Sequence, residues 1–280
     1  MRILSPALVR RRSPFSLVFG FIAAFLLLSP AAHGQPANDP FAANGKSSSW
    51  SVTLGAGAAF RPTFEGSDRY FVSPLPFVSI NYNDMISLDT SGLNAYWRKD
   101  GLQIGGGVTY NLGRFQDGNS VFTQGDERLN GLGNIPAAMG LRAFANYKLG
   151  PVVLGATLTK YLAEGNNGLL IDGLVEMPVR LGDRTTITGR LFATWADESY
   201  MQTWFGVTPG QSLTSGYGIY QAGSGVKNVG LGINLRHRLG TSWILSADAR
   251  LLRLTGSAEY SPMTVSDMNM NFLAMVGYRF

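Results

Sequence analysis

The chain has 280 residues, 15% charged and 45% hydrophobic, with 23 Lys and Arg against 18 Asp and Glu and no cysteine. The lack of cysteine excludes disulfides and thiolate metal sites. The net charge of +5 does not point to a nucleic-acid partner, because residues 1–34 hold four of the basic residues and no acidic one, leaving the remainder near neutral.

At the start of the chain, Arg2, Arg10, Arg11 and Arg12 precede an apolar run from Phe15 to Leu28, followed by small residues. This is the layout of a secretory signal peptide, with Ala32 and Gly34 before a cut at Gln35. The run is too short for a spanning helix, which needs about 20 residues, and no cysteine follows it to carry a lipid anchor. Residues 35–48 (QPANDPFAANGKSS) read as a flexible periplasmic lead-in.

From 49 to 280 the pattern is that of strands. Trp50, Val52, Leu54, Ala56, Ala58 and Phe60 form one apolar row, opposite Ser51, Thr53, Gly55 and Gly57. Similar rows recur at 102–112, 139–148, 169–180, 229–236 and 243–251, with charges confined to the opposite face. The last ten residues put Phe272, Ala274, Val276, Tyr278 and Phe280 on one face, the length of a tilted membrane strand. A soluble sandwich and a membrane barrel share this alternation. The signal peptide, the terminal Phe280 and the aromatics at strand ends (Trp50, Phe60, Tyr110, Trp195, Trp243, Tyr278) select an all-β transmembrane antiparallel barrel.

Turn residues at Asn83-Asp84, Lys99-Asp100-Gly101, Gly150-Pro151, Gly182-Asp183-Arg184 and Gly240-Thr241-Ser242 mark short connections. Longer ones are expected at 61–70, 113–134, 163–167, 197–225 and 256–267. Long and short connections alternate, as in outer-membrane barrels, once 85–98 is split at Thr90-Ser91-Gly92. The count is then twelve strands, with ten the fallback, and both termini fall in the periplasm. Tyr278 and Phe280 are the expected assembly signal.

Two stretches carry a resemblance: GAGAAFRPTFEGSDRYFVSPLPFVSINY (55–82) and WADESYMQTWFGVTPGQSLTSGYGIYQAGSGVKNVGLGINLRHRL (195–239). Both resemble the MipA/OmpV family (MltA-interacting protein) of Gram-negative outer-membrane proteins, through P-x-F-E-G-S-D-x-Y and Y-M-Q-x-W-F-G-V. Trp204 stands where Tyr is expected and Asn228 where Asp is expected. The resemblance implies a non-enzymatic scaffold linking a lytic transglycosylase to a peptidoglycan synthase. It equally allows a small porin-like channel or a surface adhesin. Further expected partners are outer-membrane lipid, lipopolysaccharide and the barrel-assembly machinery, with no nucleic acid and no cofactor.

Candidate sites follow from the same register. Glu65, Gly66, Ser67 and Asp68 form a polar binding surface, a lumen lid, or a plain turn. Tyr200, Met201, Trp204 and Phe205 put apolar side chains in a segment that should be wet, either packing into the barrel mouth or anchoring a partner. Arg142, Lys148, Arg180, Arg190, Arg236, Arg238, Arg250 and Arg279 face inward against Asp172, Glu176 and Asp248, which in an open lumen would favour anions. His237 faces outward, away from any serine, and Asp197/Glu198 is a solvated pair or a passing-cation site. No catalytic or metal-ligand spacing is present.

Overall fold

Twelve antiparallel strands close into a barrel in the computed structural model, which describes residues 50–118 and 120–280. The expected signal peptide (1–34) and lead-in (35–48) lie outside the described residues. In chain order the strands are β1 (Trp50–Pro62), β2 (Tyr70–Tyr82), β3 (Ile86–Asp89), β4 (Gly92–Lys99), β5 (Leu102–Asn111) and β6 (Ala138–Leu149). Then come β7 (Val152–Ala163), β8 (Asn166–Leu181), β9 (Thr185–Ala196), β10 (Gly225–Leu239), β11 (Trp243–Leu254) and β12 (Met268–Arg279). Each strand pairs with its sequence neighbours. β12 returns to β1, with Phe272 opposite Phe60 and Arg279 opposite Thr53.

The alternation sorts side chains as a lipid-facing wall requires. Leu54, Ile104, Leu141, Leu158, Leu191, Ile233 and Phe272 are exposed outside, while Asn94, Gln103, Thr109, Glu176, Arg190, Asn234 and Asp248 are buried inside. A soluble sandwich buries the opposite set, so this chain spans a bilayer. Trp50, Trp97, Trp243 and Tyr278 ring the end that carries the short turns, and each is well exposed. Toward the other end Phe60 stacks on Tyr70 at 4.9 Å. Aromatic side chains at these levels suit the two bilayer interfaces.

Turn chemistry fixes the register. Asn83 and Asp84 have φ of 49° and 51°, and Asp100 and Gly101 follow with 50° and 81°. Two consecutive left-handed residues make the primed turns that match strand twist, and Asn, Asp and Gly tolerate them best. The split at Thr90-Ser91-Gly92 is present. Gly92 has φ of 116°, and a Cβ there would lie 2.0 Å from Val108 O, so only glycine lets β4 start against β5.

One expected long connection is short. Glu164-Gly165 is a two-residue turn, because Asn166 already pairs with Ala163 and is buried, its amide donating to Pro136 O at 2.7 Å. The polar run Asn166-Asn167-Gly168 looks like loop but is strand. The remaining connections at the loop end, 63–69, 112–137, 197–224 and 255–267, fold together over the barrel mouth.

Candidate functional site

Residues 197–224 turn into the mouth. Helix α1 (Glu198–Phe205) begins at Asp197, whose carboxylate accepts from Tyr200 N–H at 2.8 Å and lies 3.8 Å from Lys160. The Asp197/Glu198 pair is thus a helix start, with its acids placed where the helix dipole favours them. A second helix, α2 (Pro209–Ser215), is started by a capping box between Thr208 and Gln211.

The four α1 candidates all point down. Tyr200 and Met201 are 0% exposed, Phe205 1% and Trp204 5%, packed with Ile135, Tyr161, Leu170, Leu252 and Leu254. Tyr200 and Trp204 stack at 5.5 Å. Burying each such side chain contributes about 1.5–3 kcal/mol, so the mouth is held by a packed plug. A second cluster of Phe64, Leu129, Leu132, Val207 and Met263 ties four connections together above it.

The Glu65-Gly66-Ser67-Asp68 segment is the polar clasp on this plug. Glu65 receives Lys227 Nζ at 2.7 and 2.8 Å, and Lys227 also sits 5.5 Å over the Tyr200 ring. Gly66 N–H donates to Asn269 Oδ1 at 2.8 Å, and Gly66 O accepts from Val265 and Ser266. Ser67, fully buried, donates to Asp126 at 3.2 Å, and Asp68 pairs with Arg128, which holds the Asp68 carboxyl below its ordinary range.

Sequence reading missed Lys227, Asp126 and Arg114. Lys227 is inside because a bulge between Val226 and Asn228 in β10 turns two successive residues inward. Its partner Glu65 lies on the first loop, so the missing acid at Asn228 leaves it paired. Arg114 is buried and donates to Trp204 O at 2.7 Å, and burial pushes its guanidinium down to about 10. A mid-loop arginine gives no periodic signal of burial.

Below the plug the lumen charges are largely paired. Arg190 faces its register partner Glu176 at 3.4 Å and reaches Asp248 at 3.1 Å. Arg250 meets Asp248 at 2.6 Å, and Asn234 donates to the same carboxylate at 3.3 Å. Gly232 lies between Arg190 and Arg250 in register, and a Cβ there would come within 3.0 Å of the Arg190 side chain. Asp172 accepts from Thr194 at 2.7 Å, and Arg142 donates to Ser91 O at 2.9 Å.

The other inward cations gather at the turn end. Lys148, Arg180, Arg236, Arg238 and Arg279 end their strands there, joined by Arg98, Lys99 and Arg184. Among the described residues, only the Asp84, Asp100 and Asp183 side chains oppose them on that rim. The loop end has the opposite bias, with Glu65, Asp68, Asp117, Asp126, Glu127, Glu164, Asp197, Glu198, Glu259 and Asp267 outnumbering its basic residues. His237, also near the rim, faces outward, its ring nitrogen 2.8 Å from Thr185 Oγ1.

A family model described as MltA-interacting protein MipA matches residues 54–280. The chain belongs to the MipA family. Barrel architecture and membership agree with an outer-membrane β-barrel protein. Among solved structures, this MipA-family chain is similar to OmpT of Vibrio cholerae (11% identity, 84% of this chain and 99% of that one, TM-score 0.33). It is also similar to OmpF of Salmonella typhi in complex with daunomycin (12%, 82% and 97%, TM-score 0.36). A third is the translocator domain of the autotransporter NalP from Neisseria meningitidis (9%, 85% and 90%, TM-score 0.37). The comparison with curated proteins finds no match.

Proposed function

We propose that this MipA-family barrel is a non-enzymatic docking protein of the Gram-negative outer membrane, serving peptidoglycan-remodelling enzymes from its turn end, which faces the periplasm with both termini. The observation that carries the reading is the basic rim, which among the described residues sets eight Lys and Arg side chains against three Asp side chains at the turn end. Such a rim steers and orients a partner with an acidic face. The family name adds a lytic transglycosylase as the expected class of partner. The packed plug and the ion-paired lumen support a protein that works through its surface more than through a pore.

The experiment is photo-crosslinking in intact envelopes from probes at Lys148 and Arg184, with identification of what is captured. Adducts with a murein hydrolase or synthase, weakened by raised salt, support docking. Absence of such adducts together with stepwise conductance of the purified barrel in planar bilayers would overturn it in favour of a channel.

A further inference from the structure

The barrel wall has a gap on one side. β3 is four residues long and pairs with β2 only over Ile80–Tyr82. Beyond that level β2 has β1 on one flank and no described strand on the other. β4 meets β5 only as far as Leu93 opposite Val108, so Thr109–Asn111 lack a described neighbour on the same side. A window therefore opens above the hairpin tip Thr90-Ser91, between β2 and β5.

The sequence of β2 suits an open edge. Thr63 N–H donates to Arg69 O at 3.0 Å, continuing the β1–β2 ladder. In an antiparallel pair this phase makes odd-numbered residues of β2 bond to β1 and aims the backbone of even-numbered ones at the window. Those residues are Val72, Pro74, Pro76 and Val78. Proline has no N–H, so two donors that would lie unpaired beside hydrocarbon do not exist. The same prolines deny a foreign strand its ladder, so the edge is no strand-docking site.

Behind the window lies the lumen chamber, about 150 Å³, lined among others by Leu75, Phe77, Thr90, Ser91, Tyr110 and Arg142. Tyr110 belongs to the outward register of β5 yet lines this interior space, as it must where the wall beside it is missing. Leu75 and Phe77 present an apolar surface from β2. Arg190 and Arg250 have carboxylates within ion-pair distance, whereas Arg142 has none among the described residues and donates to Ser91 O at the window sill.

We propose that the chamber binds the head of an amphiphile that enters sideways from the bilayer through this window. Its anionic group, a phosphate or a carboxylate, sits on Arg142, and its chain runs over Leu75 and Phe77 to the lipid. This is independent of the docking role at the rim.

The test places a benzophenone amino acid at Leu75 in the full barrel, refolded into vesicles of phosphatidylethanolamine and phosphatidylglycerol, with adducts read by mass spectrometry. Folding of each variant is checked by heat-shifted gel mobility. A phospholipid adduct is expected at Leu75. Arg142→Gln should lower it about tenfold, the scale of one charge-assisted hydrogen bond, and Arg142→Lys should retain most of it. Added palmitate that displaces the phospholipid adduct names the carboxylate as preferred head, and no displacement names the phosphate. No phospholipid adduct at Leu75 in the folded barrel, or equal labelling at Leu75 in Arg142→Gln, would overturn the proposal.

Discussion

Lys227 and Glu65, 162 residues apart, meet through both carboxylate oxygens at 2.7 and 2.8 Å, with the lysine 2% exposed. The pair joins the first loop to β10 directly over the α1 plug. Removing one member of a buried pair strands the other charge and costs about 3–5 kcal/mol, while replacing both with apolar groups is near neutral. Lys227→Met is therefore expected to lower the urea midpoint of the folded barrel, and Lys227→Met with Glu65→Leu to recover most of the loss. A double variant as weak as the single one would show that the salt bridge is not what Lys227 contributes.

Arg190 tests the lumen in the same way. It serves Glu176 and Asp248 from one buried guanidinium, with side-chain exposure of 2%. Arg190→Leu removes the cation that faces Glu176, while Asp248 keeps Arg250, and is expected to cost about 3–5 kcal/mol, measured by unfolding in detergent. Adding Glu176→Gln removes that charge and should restore part of it, with Asp248 left in place because it holds Arg250.

Much of this was legible from residues alone. Period-two alternation fixed the facing of Arg142, Asp172, Glu176, Arg190, Asp248 and Arg250, because a one-residue slip would have put every charge into lipid. Turn chemistry at Asn83-Asp84 and Asp100-Gly101 gave the strand count. The loop end was not legible in this way. Lys227 faces inward through a bulge, which breaks the period, and Arg114 and Asp126 are buried by contacts with residues far along the chain. The window was also hidden, although Pro74 and Pro76 in the middle of a strand were its signal, since proline belongs on strand edges.

The Asp68–Arg128 pair gives a pH dependence. The Arg128 hydrogen bond holds the Asp68 carboxyl below its ordinary 3.8. A depressed acid contributes fully above its unfolded value and loses the contribution as pH falls through the lower folded value. Hydrogen exchange of residues 127–132 should thus be slower in the native chain than in Asp68→Asn at pH 6. Toward pH 3 and below, the two should converge. A constant difference across this range would remove Asp68 as the cause.

Phe280 separates assembly from stability. Its N–H donates to Val52 O at 3.0 Å, the last bond of the β12–β1 seam, and its ring meets Tyr278 edge-on at 5.0 Å. The side chain is 73% exposed, so its deletion costs the folded barrel little beyond one hydrogen bond, about 1 kcal/mol. If the terminal aromatic is read by the barrel-assembly machinery, deleting Phe280 should sharply reduce the amount reaching the outer membrane, while barrels refolded in vitro keep nearly the native urea midpoint. A parallel fall in both would mean that the residue acts through the seam alone, and normal outer-membrane levels would remove it as an assembly signal.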